Sequence, residues 1–281
     1  MSEFTYKNDR NLVKLRPIGI NEASTFTGFC KYHDNILFKP IESNDFKDNK
    51  EHAFLLGYRA ICKELFLKKS QLELTETSFN KRGAILKAEE QAVMREYIMG
   101  IQCGLKSFNN IKVYYDKLLV EKTFDDYHYI TIRIKDFPQF LCSGAIFPEY
   151  DFDGNQLQDF NTLNIIPDII TFSIIKTNRG GAIIFSWIGE STINNQFIAS
   201  LLKFSDKDKP DAICRFTFEF FENTYFSPLW WDKLSIDVKE DIFIRQQRGI
   251  LFGDYEERPN DCLQNNMIKY VQWTVSSIKQ E

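Results

Sequence analysis

Cys30, His33 and Asp34 are the residues of this sequence whose types and spacing best suit chemistry. Two residues separate the cysteine from the histidine, so a tight turn could bring a thiolate and an imidazole to one Zn²⁺ ion. A structural zinc site needs four ligands, and the other two histidines, His52 and His128, are isolated in the sequence. A structural interpretation fits the same residues, with Cys30 buried and His33 and Asp34 capping a turn. Zinc is therefore the candidate cofactor, with Cys30 and His33 as its candidate ligands.

A catalytic role for this segment would use the same three side chains. Cys30 would hold the metal while His33 and Asp34 position or activate a water molecule. The sequence contains no phosphate-binding loop and no Gly-x-Ser-x-Gly nucleophile elbow. Asp151 and Asp153 suggest calcium, but the glycine that follows them falls at the wrong position for an EF-hand loop. An Asp-Gly turn between strands explains those two aspartates instead.

Residues 28–42 resemble the signature Gly-Phe-Cys-x-x-His-Asp-x-x-Leu-Phe-x-Pro-Ile-Glu of a family of uncharacterised bacterial proteins. Weaker similarity extends to residues 53–60, 144–154 and 222–231. The family implies no function by itself. Its longer members carry an upstream Cys/His-rich segment similar to the first half of an HNH-type or treble-clef module. Residues 1–29 here contain neither Cys nor His, so the resemblance implies HNH-like descent with that half missing.

A second distinctive segment is aromatic and contains Tyr225, Phe226, Trp230 and Trp231. Trp and Tyr offer a large contact area at low entropic cost, which makes these four residues candidates for binding a protein partner. Stacking on unpaired nucleic-acid bases is a second alternative. Packing in the core is the default interpretation, since aromatic residues make up 15% of the chain.

Charge and cysteine usage limit the class of partner and the compartment. The net charge is −4, and residues 1–126 carry 20 basic and 18 acidic side chains. That balance does not support a general nucleic-acid-binding protein, although a local basic patch stays open. The six cysteines are irregularly spaced, no apolar signal-peptide core follows Met1, and no apolar run is long enough to span a membrane. We therefore expect a cytoplasmic protein with reduced thiols and no membrane partner.

Apolar periodicity predicts mostly helices in the first half of the chain. After loops and short strands in residues 1–50, helical spacing covers residues 53–69, 84–107 and 111–120. We expect these helices to pack mainly on one another. The pattern changes near residue 123, which predicts a mainly helical part over residues 1–123 and a second part, within the same domain or separate, over residues 124–281.

The second part alternates strands and helices. Period-two alternation predicts a strand over residues 129–134, and further strand candidates cover residues 140–147, 169–176 and 182–188. A glycine-containing turn between the last two predicts antiparallel pairing. Helices are predicted over residues 193–204, 238–248 and 267–278, and residues 212–221 favour a helix over a strand. The predicted fold is α+β, with helical N- and C-terminal parts flanking an antiparallel sheet of about four strands.

These observations favour a non-catalytic interaction or regulatory protein from a prokaryote. Its expected partner is another protein or a second copy of itself. The abundance of Phe, Asn, Ile and Lys, whose codons are AT-rich, and the family resemblance suggest a component of a phage-defence system or a mobile element. The alternative is a metal-dependent nuclease or hydrolase of HNH-like descent that uses Cys30, His33 and Asp34.

Overall fold

The computed structural model describes residues 2–7, 12–19, 22–23, 28–42, 45–82, 85–160, 166–248 and 258–281. The helices in these ranges are α1 (Lys31–Glu42), α2 (Lys50–Arg82), α3 (Ala88–Glu121), α4 (Thr192–Leu202), α5 (Lys209–Phe220), α6 (Pro228–Lys233) and α7 (Ile236–Arg248). The strands are β1 (Ser2–Lys7), β2 (Leu12–Pro17), β3 (Tyr127–Ile134), β4 (Phe140–Ile146), β5 (Ile170–Thr177), β6 (Gly180–Ile188), β7 (Tyr225–Phe226) and β8 (Val275–Gln280). None of the helices in the described ranges is both long and apolar enough to cross a membrane.

The strands form one antiparallel sheet, so the α+β prediction is confirmed. Six strands follow the order β7-β4-β5-β6-β3-β8, and the β1–β2 hairpin extends this sheet through a single pairing between Ser2 and Phe226. The four predicted strands are β3 to β6. The sheet is larger than the four strands expected, because β7 and β8 join its two sides from distant parts of the chain.

The turn between β5 and β6 fixes the register of the central hairpin. Thr177 pairs with Gly180, so only Asn178 and Arg179 lie in the turn. Gly180 has φ +133°, a conformation that L side chains rarely adopt. A Cβ atom there would also clash with the carbonyl oxygen of Ile134 on the neighbouring strand β3. The predicted glycine-dependent hairpin is therefore confirmed.

Helices cover both faces of the sheet. On one face, the first half of α2 packs against side chains such as Tyr129 and Ile184. On the other face, α4, α5 and α7 pack against alternate residues of the same strands, such as Ile130 and Phe185. Both faces of the strands are therefore buried, in a three-layer arrangement.

The helix predictions for the first half of the chain are correct in type but not in extent or packing. The predicted helices over residues 84–107 and 111–120 are one continuous helix, α3. The first part of α2 packs on the sheet, so these helices do not pack mainly on one another. The segment around Cys30 was expected to form loops, and α1 occupies residues Lys31–Glu42 instead. The boundary near residue 123 falls at the connection between α3 and β3 and stays a prediction.

The predicted helix over residues 267–278 is wrong. Residues 268–274 form neither a helix nor a strand, and the chain then pairs along β3 as strand β8. The backbone N–H of Tyr270 donates to the Asp211 carboxylate at 2.8 Å, and the Trp273 indole donates to Gln139. The Asp211 carboxylate and the edge of β3 therefore pair with backbone groups of this segment that a helix would have paired within itself.

Candidate functional site

Cys30 and His33 are brought together at the start of α1. The Asp34 N–H donates to the Cys30 carbonyl at 2.9 Å and closes the first turn. That turn places the Cys30 Sγ 3.2 Å from the His33 Nδ1. Cys30 and His33 are exposed and Asp34 is half-buried, so the interpretation with a buried Cys30 is wrong. The predicted side chains are neighbours on the surface of the molecule.

These donors do not complete a metal site within the described part of the chain. No group of three or more His, Cys, Asp or Glu side chains there could hold a metal ion. His52 is buried elsewhere and accepts a hydrogen bond from the Lys47 N–H, and its burial lowers its pKa. His128 stacks on Trp187 and lies 3.7 Å from a carboxylate oxygen of Glu190. Zinc binding at Cys30 and His33 stays a prediction. A zinc ion there would need further ligands besides these two side chains.

The aromatic segment lies largely in the core. Phe226 is fully buried and Trp231 is 8% exposed. Trp230 is half-buried, stacks parallel to Phe218, and donates its indole N–H to the Tyr270 carbonyl at 3.3 Å. Tyr225 is half-buried in the short strand β7. These contacts favour the core-packing alternative over a partner-binding role for the four residues.

Asp151 organises a turn, as the Asp-Gly interpretation predicts. Its Oδ1 accepts the N–H groups of Asp153 at 2.9 Å and Asn155 at 2.8 Å, and its Oδ2 accepts the Asn155 side-chain amide at 3.0 Å. Gly154 has φ +87°. The carboxylate oxygens therefore bind protein N–H groups of the turn.

A buried ionic cluster joins α5, α7 and the segment that begins at residue 258. The Glu219 carboxylate has no exposed surface and pairs with Arg245 at 3.0 Å, Arg248 at 3.1 Å and Arg258 at 3.0 Å. Asp241 pairs with Arg245 from the same helix. Paired in this way, the charges hold the helical layer together, and removing one partner would leave a buried charge uncompensated.

Two carboxyl groups lie where α2 approaches β4. Burial raises the pKa of Glu64 to about 7, against the lowering effect of Lys63 and Lys68. Burial also raises the pKa of Glu222, although this residue has a larger exposed fraction. A Cβ atom at Gly144 would lie 2.6 Å from the Phe221 ring and 3.0 Å from the Glu64 Oε1, so the absence of a side chain there leaves room for both groups. Glu64 therefore changes charge near neutral pH.

An open cavity of about 450 Å³ lies between the end of α1, α2 and β5. Its charged lining is balanced, with Glu42 and Asp45 opposite in sign to Arg59 and Lys176. Arg59 forms an ion pair with Glu42, and Asp45 accepts the Asn178 N–H at 3.1 Å. The cavity is at the opposite end of α1 from Cys30, so it does not belong to the Cys30–His33 pair.

The long helices α2 and α3 extend past the sheet as an antiparallel hairpin, which we call the arm (residues 66–82 and 85–100). Every arm residue with described burial is at least partly exposed to solvent. Large apolar side chains that are exposed there are Phe66, Leu67, Leu74, Ile85, Val93 and Met99. Sequence analysis missed the arm, although Leu74 and Val93 lie outside the periodic apolar positions and could have indicated a second apolar face.

A groove of about 430 Å³ follows one side of the arm between the two helices. Its floor is apolar and includes Phe79, Ile98 and Met99. Glu76 lies at one end, where it accepts a hydrogen bond from Gln102 at 3.1 Å. Arg95 lies at the other end, with its guanidinium 6.0 Å from the centre of the Phe79 ring. The groove is thus an apolar surface with one acidic and one basic end.

Comparisons with protein-family models, with curated proteins and with solved structures found no match to this chain.

Proposed function

We propose that this chain is a non-catalytic interaction protein that binds a protein partner through its arm. The supporting observation is that the arm exposes several large apolar side chains, and that no arm residue with described burial is buried. Exposed apolar surface of this kind is typical of binding sites. Met99, which is 55% exposed, lines the groove on one side of the arm.

The buried aromatic segment also bears on this proposal. Sequence analysis gives Tyr225, Phe226, Trp230 and Trp231 as candidates for partner binding and also for core packing, and the burial of Phe226 and Trp231 favours core packing. The arm takes their place as the proposed binding surface. A role in phage defence or on a mobile element is proposed only on the family resemblance and the composition.

A second candidate function is the metal-dependent hydrolase. It is supported by one observation, the 3.2 Å distance between the Cys30 Sγ and the His33 Nδ1. Two donors do not make a complete site, since the described residues bring no third metal ligand to them. The interaction protein is therefore the function that the geometry supports best.

The proposal is tested by the size of the complex that the protein forms in extracts of its own host. A charge at Met99 would oppose burial of the arm surface, so Met99→Asp should shift the protein to the size of the free 33.1-kDa chain. Val113→Asp is the matched control, because Val113 is 65% exposed on the same helix but outside the arm. An unchanged elution position for Met99→Asp would contradict the proposal.

A further inference from the structure

The two charged ends of the groove have no ion-pair partners among the described residues. Glu76 accepts a hydrogen bond from Gln102, and Arg95 donates one to Gln91. Both partners are neutral. The acidic and basic ends are therefore each available to a charged group on a bound molecule.

The spacing of the two charged ends of the groove along the arm is compatible with a two-fold axis. Gln102, beside Glu76, lies seven residues along α3 from Arg95, which corresponds to about 10 Å along the helix. Ile98 and Met99 lie midway between them. A two-fold axis through this midpoint, perpendicular to the helices, reverses the arm and brings Glu76 of one copy to the level of Arg95 of the other.

The same operation completes the apolar packing. Met99 lines the groove together with Phe79 and Ile98 and is 55% exposed, so each copy presents an apolar patch at the level of this axis. A two-fold interface needs such a self-complementary patch. Two hairpins joined in this way would make a four-helix bundle, in which the apolar floors of both grooves are covered.

We propose that the arm binds a second copy of this chain, with the two arms antiparallel, the groove floors around Met99 of the two copies packed against each other, and Glu76 of each copy paired with Arg95 of the other. This inference rests on the proposed function, because it names the partner of the same surface.

The experiment is a charge exchange measured on the purified full chain by sedimentation equilibrium over a range of concentrations. The parent protein should approach twice the mass of the 33.1-kDa chain as concentration rises. Glu76→Arg or Arg95→Glu alone places like charges together at two points of the interface, and each should raise the dimer dissociation constant about tenfold or more. The double variant E76R/R95E restores opposite charges and should dimerise like the parent.

A mixture of the two single variants should also associate, because one copy then carries two arginines and the other two glutamates. Lys106→Glu is the charge control, because Lys106 is exposed on α3 outside the groove. Circular dichroism confirms that each variant is folded. A parent protein that is monomeric at every concentration would overturn the proposal, as would a folded double variant that fails to dimerise.

These outcomes are distinct from a failure of the proposed function. If the purified chain is monomeric but its complex in host extract still depends on Met99, self-association is wrong and the binding role of the arm stands. If neither the dimer of the purified chain nor the complex in host extract depends on residues of the arm, both proposals are wrong.

Discussion

The Tyr127 hydroxyl occupies the space that a side chain at position 57 would need. It donates to the Ser186 Oγ at 2.8 Å beneath α2, and a Cβ atom on Gly57 would collide with it and lie 3.0 Å from the Thr171 Oγ1. Gly57 therefore lets α2 pack directly against these buried hydroxyl groups of β3, β5 and β6.

Replacing Gly57 with alanine should destabilise the fold. The added methyl group must displace Tyr127 or lift α2, which should lower the free energy of unfolding by about 1–3 kcal/mol. Gly100→Ala is the matched control, because a Cβ atom at Gly100 meets nothing within 4 Å in the same helical hairpin. We expect that variant to be more stable by up to about 1 kcal/mol, since alanine favours a helix over glycine. Urea unfolding measures both changes, and equal effects at the two positions would contradict this account.

Substitution of the buried residues of the aromatic segment should lower the stability of the fold. Phe226 is fully buried and its ring lies 5.3 Å from that of Trp231. Phe226→Ala should therefore cost about 3–5 kcal/mol in the free energy of unfolding. Leu229 is 73% exposed in the same segment, and Leu229→Ala should change stability by less than about 0.5 kcal/mol. A small effect of Phe226→Ala on thermal unfolding would instead restore the partner-binding interpretation.

Glu64 should make stability depend on pH. Its folded pKa of about 7 is above the ordinary value of 4.5, so the folded state holds this proton more tightly than the unfolded state. The contribution of Glu64 is consequently neutral below pH 4.5 and becomes unfavourable as pH rises to 7, with the full penalty above that.

The variant Glu64→Gln removes this penalty. It should stabilise the protein by about 1–2 kcal/mol at pH 8, with the gain shrinking towards pH 4.5. Glu73→Gln on the exposed side of α2 serves as the control. Denaturant unfolding at a series of pH values checks the prediction, and a gain that does not vary with pH would show that the charge of Glu64 is not its cause.

Cys30 and His33 should contribute little to folding. Both side chains are exposed, so Cys30→Ser and His33→Ala should each change stability by less than about 0.5 kcal/mol. Added Zn²⁺ should leave the melting temperature of the parent protein and both variants equal, because the described residues supply no third ligand. A rise in melting temperature with Zn²⁺ that disappears in both variants would favour the metal-dependent alternative.

Local patterns determined most of the elements. Strand β3 follows from period-two alternation, and the turn before Gly180 follows from the need for positive φ. Helix α4 begins at a local N-cap, where the Ser191 hydroxyl accepts the Asn194 N–H at 3.0 Å. The close approach of Cys30 and His33 likewise needs only one helical turn. These features depend on interactions between residues that are near in sequence.

Tertiary structure decided the remaining features, because whether a side chain is buried depends on helices and strands that are distant in sequence. The apolar period in residues 267–278 suits a helix, but Asp211 and the free edge of β3 pair with the backbone of this segment instead. Phe226 and Trp231 are buried only because α5 and α7 reach them across the sheet. Conversely, α2 and α3 continue past the last strand that could cover them. The sequence contains the helical period of the arm, but only the position of the sheet leaves Met99 and its neighbours exposed.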